Sequence, residues 1–213
     1  MTSTSFETSL YQHLTPFFER HQFLLLPEKK QYRKTTDTGF QHILLCPTFY
    51  AHETTLAVRL GCRNEQIEQI AQQFLTSQSI SQLDTNTLLI SIGQFSDFTI
   101  DRFCIHSEDE LLSVCEQIEH FFATSGFDFL AASSSLLALD RLLNNQPGQP
   151  CLYVFNQMHR YYKGLITARL NHNTHFDALV DTYRHLLLAQ TQNRHEQIRF
   201  ERLISYLHYY SAN

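Results

Sequence analysis

The clearest pattern along the chain is an alternation over residues 55–62, where Leu56, Val58, Leu60 and Cys62 interleave with Thr55, Ala57, Arg59 and Gly61. A period of two is that of a strand with one buried face, so a strand is predicted there. Shorter apolar runs at 23–26, 31–36 and 40–46, separated by Pro27 and by Asp37-Thr38-Gly39, read as further strands, as do 87–92 and 98–105. Most are joined by short turns rather than crossover helices, which predicts antiparallel pairing. Ahead of them, Leu10, Leu14, Phe17 and Phe18 recur near a 3.6-residue period and predict a helix over 9–23, kinked or restarted at Pro16. Asn64 is placed to cap a helix over 65–75, whose Ile67, Ile70, Ala71 and Phe74 share one face; a Ser-, Gln- and Thr-rich connector over 76–85 follows.

From Ser107 the pattern becomes helical. Ser107-x-x-Glu110 is a capping box, and Leu111, Cys115, Ile118 and Phe122 lie on one face of a helix expected to end before Gly126. A second helix is predicted over 127–143, closed by Asn144-Asn145-Gln146-Pro147-Gly148. A third is predicted over 152–170, with Leu152, Phe155, His159, Tyr162 and Ile166 on one stripe. Gly164 in its middle implies a close helix contact. Thr174-x-x-Asp177 and Asn193-x-x-Glu196 look like caps for final helices over 174–190 and 193–210. The reading is an α+β fold: an antiparallel sheet of about five or six strands packed by helices, then a helical region of four to five helices. The two regions are assigned to 1–106 and 107–213, sharing one core.

Composition adds exclusions. Hydrophobic residues make up 43% of the 213 positions, enough for a large core, while charged residues are only 17%. The six glycines stand apart, which rules out a glycine-rich phosphate loop. A net charge of −5, spread evenly along the chain, lacks the basic field of general nucleic-acid binding. Cys46, Cys62, Cys104, Cys115 and Cys151 form no C-x-x-C pair and are odd in number, so they are read as reduced thiols rather than a disulfide framework or zinc ribbon. No secretory signal or membrane span is apparent, and a cytoplasmic protein is expected.

Certain stretches carry a resemblance. The Leu14-Thr15-Pro16-Phe17-Phe18 helix leading to Phe23, the Tyr32-Arg33 strand and the Leu56-Ala57-Val58-Arg59-Leu60-Gly61 strand are three of them. The Ser107-capped helix running into Phe127-Asp128-Phe129-Leu130, and the Phe200-x-x-Leu203-Ile204-x-x-Leu207 helix, complete the set. Together they resemble a group of uncharacterised bacterial α+β proteins, often carried as a domain of unknown function. The resemblance departs at His21-Gln22-Phe23 and Gly126-Phe127-Asp128, where such proteins often have a Gly-Phe or Pro-Phe pair. It implies a fold and no activity.

Three sets of residues are candidates for chemistry. His172, His175, Asp177, Asp181 and His185 combine metal-ligand types at helical spacing and would serve a metal-assisted hydrolase. Against this, Asp177, Asp181 and His185 fall opposite the Phe176, Leu179, Val180, Tyr183 and Leu187 face, where Asp181 and His185 form an ordinary i, i+4 pair. There is no H-E-x-x-H. Lys29, Lys30, Arg33 and Lys34 with Tyr32 are the one concentrated basic patch, able in principle to grip a phosphate backbone while Tyr32 stacks on a base. A lysine-rich edge hairpin that discourages sheet aggregation is the simpler account. Tyr153, Tyr161, Tyr206, Tyr209 and Tyr210 are candidate interface anchors, with core and rim packing as the alternative. Cys104 and His106 would share a strand face and make a Cys–His dyad conceivable. Ser133-Ser134-Ser135 lacks the G-x-S-x-G context of a nucleophile.

The expectation is therefore a non-catalytic module that binds another protein or itself, without a cofactor, away from membranes and without nucleic acid. A toxin-neutralising immunity protein is one instance of that class. A hydrolase built on the histidine cluster and a nucleic-acid binder built on Lys29 to Lys34 are the alternatives.

Overall fold

The computed structural model describes residues 3–75, 85–95 and 101–210. The fold is α+β with an antiparallel six-stranded sheet and several C-terminal helices, as the pattern predicts. The strands are β1 (Leu24–Leu26), β2 (Gln31–Thr36), β3 (Gly39–Phe49), β4 (Thr54–Asn64), β5 (Leu88–Ser91) and β6 (Phe103–Ile105). They run in the order β1-β2-β3-β4-β5, with β6 also paired to β4. The connector at 76–84 and the start of the strand predicted over 98–105 lie outside the described residues.

The chain divides into two compact units, one of Met1–Cys62 with Ile90–Ala131 and one of Arg63–Leu89 with Ala132–Asn213. The division therefore does not fall at residue 106, because β4 and β5 each carry the chain from one unit into the other.

In the first unit, α1 (Ser3–Arg20) buries Phe6, Leu10, Leu14, Phe17 and Phe18. It stops short of the predicted end because Gln22 takes a left-handed conformation (φ 69°), so that the N–H groups of Gln22 and Phe23 close on the carbonyls of Glu19 and Phe18. The β2–β3 hairpin pairs Tyr32 with Ile43 and Thr36 with Gly39, whose φ of 151° the tight turn requires. In α3 (Glu108–Phe121), Ser107 accepts the Glu110 N–H at 3.2 Å as the predicted cap, while Glu110 Oε2 reaches past it to the His106 N–H at 2.7 Å, so the reciprocal half of the box falls one residue earlier than predicted. Gly126 does not end this helix. The chain continues through a π turn (Phe122–Gly126) into α4 (Phe127–Ala132), and a Cβ at Gly126 would lie 2.5 Å from the Phe122 ring. The close approach lets Phe18, Phe122 and Phe127 pack as one aromatic cluster, with Tyr32 4.5 Å from Phe18.

The second unit holds α2 (Glu65–Gln72), α5 (Leu136–Asn144), α6 (Gln157–Leu170), α7 (Phe176–Gln190) and α8 (Arg194–Tyr209). Asn64 caps α2 as predicted, and Asn193 caps α8 through the His195 N–H. The single helix predicted over 127–143 is two, α4 and α5. Serine side chains compete for backbone partners, and Ser135 uses its hydroxyl to accept the Ala138 N–H and restart the helix. The helix predicted from 152 begins at Gln157, where Asn156 caps it. Thr174 does not cap α7, which starts after His175 without a side-chain cap. Helix α6 packs against α2, α5, α7 and α8 and is buried on nearly every face from Arg160 to Ala168. Among the described residues no single helix is long and apolar enough to cross a membrane.

Candidate functional site

Two of the side chains buried on α6 are cations, and an unpaired buried charge would be strongly destabilising. Lys163 Nζ lies 2.9 Å from Glu68 Oε1 on α2, and both side chains are almost wholly buried. Glu68 Oε1 also accepts the Thr87 hydroxyl, and Lys163 donates to the Asn86 carbonyl. Arg160 uses a different solution. Its guanidinium donates to the carbonyls of Leu143 (2.9 Å), Gln146 (2.9 Å) and Gln149, the residues that end α5 and begin the loop after it. Arg160 thereby ties the last turn of α5 and the loop after it to α6.

Asp140 on α5 is the buried anion of the same region. Its carboxylate accepts the side-chain amides of Asn144 (2.6 Å), Asn171 (2.8 Å) and Asn173 (2.8 Å). Asn144 donates also to the Gly164 carbonyl, and its Oδ1 accepts the Tyr183 hydroxyl at 2.7 Å. Gly164 is required at this crossing, because a Cβ there would stand 2.5 Å from Asn144 Oδ1. Burial pushes the Tyr183 hydroxyl above its ordinary pKa, so it stays a neutral donor. Asp140 and Arg160 thus belong to one hydrogen-bonded network through Asn144, Tyr183 and the Leu143 carbonyl.

The network fixes a loop. Gln157, in the first turn of α6, accepts the Cys151 N–H (2.9 Å) and donates to the carbonyls of Cys151 (2.9 Å) and Val154 (3.0 Å). The Tyr153 carbonyl accepts the Leu89 N–H. Between these ties, Leu152 and Phe155 are each 62% exposed. A cavity of about 360 Å³ opens beside Leu152, lined by Arg141, Asn145, Pro150, Cys151, Tyr153 and Arg160 among others. A second, of about 390 Å³, is lined by Asp140, Arg141, Asn145, Asn173, His175 and Thr182 among others. Arg141 and Asn145 line both, so the two cavities adjoin on the exposed side of α5 and are together its groove.

The sequence-derived candidates fall in several places. Among the described residues, no three His, Cys, Asp or Glu side chains converge as a metal-binding group. His172 takes a left-handed conformation (φ 52°) that closes α6, with the Asn173 N–H bonded to the Ala168 carbonyl. His175 is on the groove rim, Asp177 and His185 are exposed, and Asp181 pairs with Arg184 at 3.2 Å rather than with His185. Tyr32 cannot stack on a base, because it is fully buried and its hydroxyl is 3.0 Å from that of Thr15. Lys30 pairs with Glu7, the Arg33 guanidinium stacks 3.8 Å from the Phe40 ring, and Lys34 donates to the His21 carbonyl; Lys29 is also engaged. Of the tyrosines, Tyr161 is buried against Tyr183, Tyr206 packs between Phe74 and Tyr210, Tyr153 is half-buried and Tyr209 is 91% exposed. Strand β6 ends at Ile105, so His106 belongs to the cap of α3 and does not continue the strand alternation that would align it with the exposed Cys104.

Sequence reading missed Asp140, Asn144, Arg160, Lys163 and Glu68. Apart from Asp140 and Asn144, which stand four residues apart, their partners are distant in sequence, 77 residues for Lys163 and Asn86 and further for Lys163 and Glu68; Gly164 was the one signal pointing there. Compared with protein-family models, curated proteins and solved structures, the chain matches none of them.

Proposed function

We propose that this chain is a non-catalytic binding module that recognises another protein through the groove and loop between α5 and α6. The observation that carries this reading is the pair Leu152 and Phe155, apolar and exposed on a loop that is tied down by Gln157 and Arg160. Apolar side chains of this size are each worth about 1.5–3 kcal/mol when removed from water. Holding them outward on a fixed backbone lowers the ordering cost at association. The polar groups nearby support the same reading. Asp140, Asn144 and Arg160 are saturated by internal hydrogen bonds, which suits positioning of a surface rather than proton transfer or attack.

The test is partner co-elution. The chain is purified gently from its own cells and compared with a Leu152→Ser, Phe155→Ser double variant checked for folding by circular dichroism. The reading predicts a stoichiometric protein that co-elutes with the parent chain and is lost from the folded variant. A parent chain that elutes alone, or a partner retained by the variant, contradicts it.

A further inference from the structure

The electrostatics of the groove lead to the chemistry of its occupant. Among the described residues, three charged side chains line the two cavities: Asp140, Arg141 and Arg160. Asp140 and Arg160 are buried in one hydrogen-bonded network, where opposite charges offset each other. Arg141 is different. It is exposed, it lines both cavities, and its guanidinium makes no hydrogen bond or ion pair among the described residues. Its place in the last turn of α5 complements the helix dipole, yet that leaves the guanidinium fork open to a planar anion. Leu137, Arg141 and Asn145 follow one another at four-residue steps, so the exposed face of α5 presents an apolar side chain (Leu137, 50% exposed), a cation and an amide in line. Leu152 lines one of the two cavities together with Arg141.

A cationic occupant does not fit this lining. The one carboxylate among the described lining residues, Asp140, is already taken by three amide donors, while the guanidinium of Arg141 stands open beside it. We infer that the groove accepts an acidic, amphipathic peptide segment of a partner protein, with a carboxylate paired to Arg141 and an apolar side chain seated in the cavity beside Leu152 and Tyr153. The inference rests on the binding reading above and names the partner's chemistry. Charge complementarity around an apolar anchor gives orientation and association rate as well as affinity.

Fluorescence anisotropy with labelled synthetic peptides tests it on the full chain. The probes are a Glu- and Phe-rich peptide, the same peptide with Lys for every Glu, and the same with Ser for every Phe. The expected result is saturable binding of the Glu/Phe peptide, weakened by added salt and absent for the other two. Arg141→Ala should weaken it by about tenfold, the scale of one charge-assisted hydrogen bond. Arg141→Glu should transfer preference to the Lys/Phe peptide. Equal binding of the Glu and Lys peptides, or binding unaffected by Arg141→Glu, overturns the inference. Should the partner co-elute through Leu152 and Phe155 while the Glu/Phe peptide fails to bind, the acidic assignment falls and the binding module stands. Should co-elution itself fail, the module falls first.

Discussion

The two units are built on opposite principles. The unit containing α1 and α3 has a core of rings and aliphatic side chains, with Phe18, Phe122 and Phe127 in mutual contact and Leu56, Val58 and Leu60 fully buried on β4. The unit containing α6 is organised around charge: Lys163 on Glu68, Arg160 on three carbonyls, Asp140 on three amides. Apolar packing is non-directional and tolerates exchange of similar volumes. A buried charge demands named partners at fixed positions, because leaving one unpaired is far more destabilising than the net gain from the pair. The second arrangement therefore locates particular backbone segments, and one of them is the loop that holds Leu152 and Phe155 outward.

The largest effect should come from breaking a buried pair. Lys163→Met strands Glu68 and is expected to destabilise the chain by about 3–5 kcal/mol in denaturant unfolding. Adding Glu68→Leu should recover most of that loss. The matching change in the aromatic core, Phe18→Leu, keeps the side chain apolar while losing some volume and its ring contacts, and should be destabilising by about 1–2 kcal/mol, well short of the stranded charge. If Lys163→Met and Phe18→Leu prove equally mild, the distinction between the units is wrong.

A smaller effect sharpens the same contrast through pH. His159 on α6 is held below its ordinary pKa, first by burial and then by Lys163, with Glu68 and Glu196 acting in the opposite direction. A histidine whose folded pKa is depressed binds fewer protons folded than unfolded. Its contribution to stability is therefore fully present above the unfolded value of about 6.5 and is lost as pH falls from there through the folded value. Unfolding midpoints measured across that window should drop on acidification, and His159→Gln should flatten the drop. An unchanged slope in His159→Gln would assign the acid sensitivity elsewhere.

How much of this was legible in the sequence follows from the range of each interaction. The β4 alternation, the Asn64, Ser107 and Asn193 caps and the close contact at Gly164 all express themselves within a few residues or through a single residue type, and each is found in the structure. The Ser133–Ser135 break and the π turn at Gly126 are local too, but an apolar run that continues at helical period hides them. Leu152 and Phe155 were assigned to a helical stripe because their spacing to His159 and Tyr162 suits one. What moves them onto a loop is Asn156 capping α6 and Gln157 reaching back to Cys151 and Val154. The Asp140 amides come from 4, 31 and 33 residues away, and Arg160 reaches up to 17 residues back; only the folded chain reveals such partners.

The most direct measurement places a photoactivatable crosslinking residue at position 152 in one version of the chain and at position 24 in another. Leu24 is as exposed as Leu152, at 63%, but sits on the three-residue edge strand of the other unit. Irradiated in the chain's own cells, the version carrying the group at 152 should give one discrete protein adduct, and the version carrying it at 24 should give none. No adduct at 152, or the same adduct from both positions, would contradict the account.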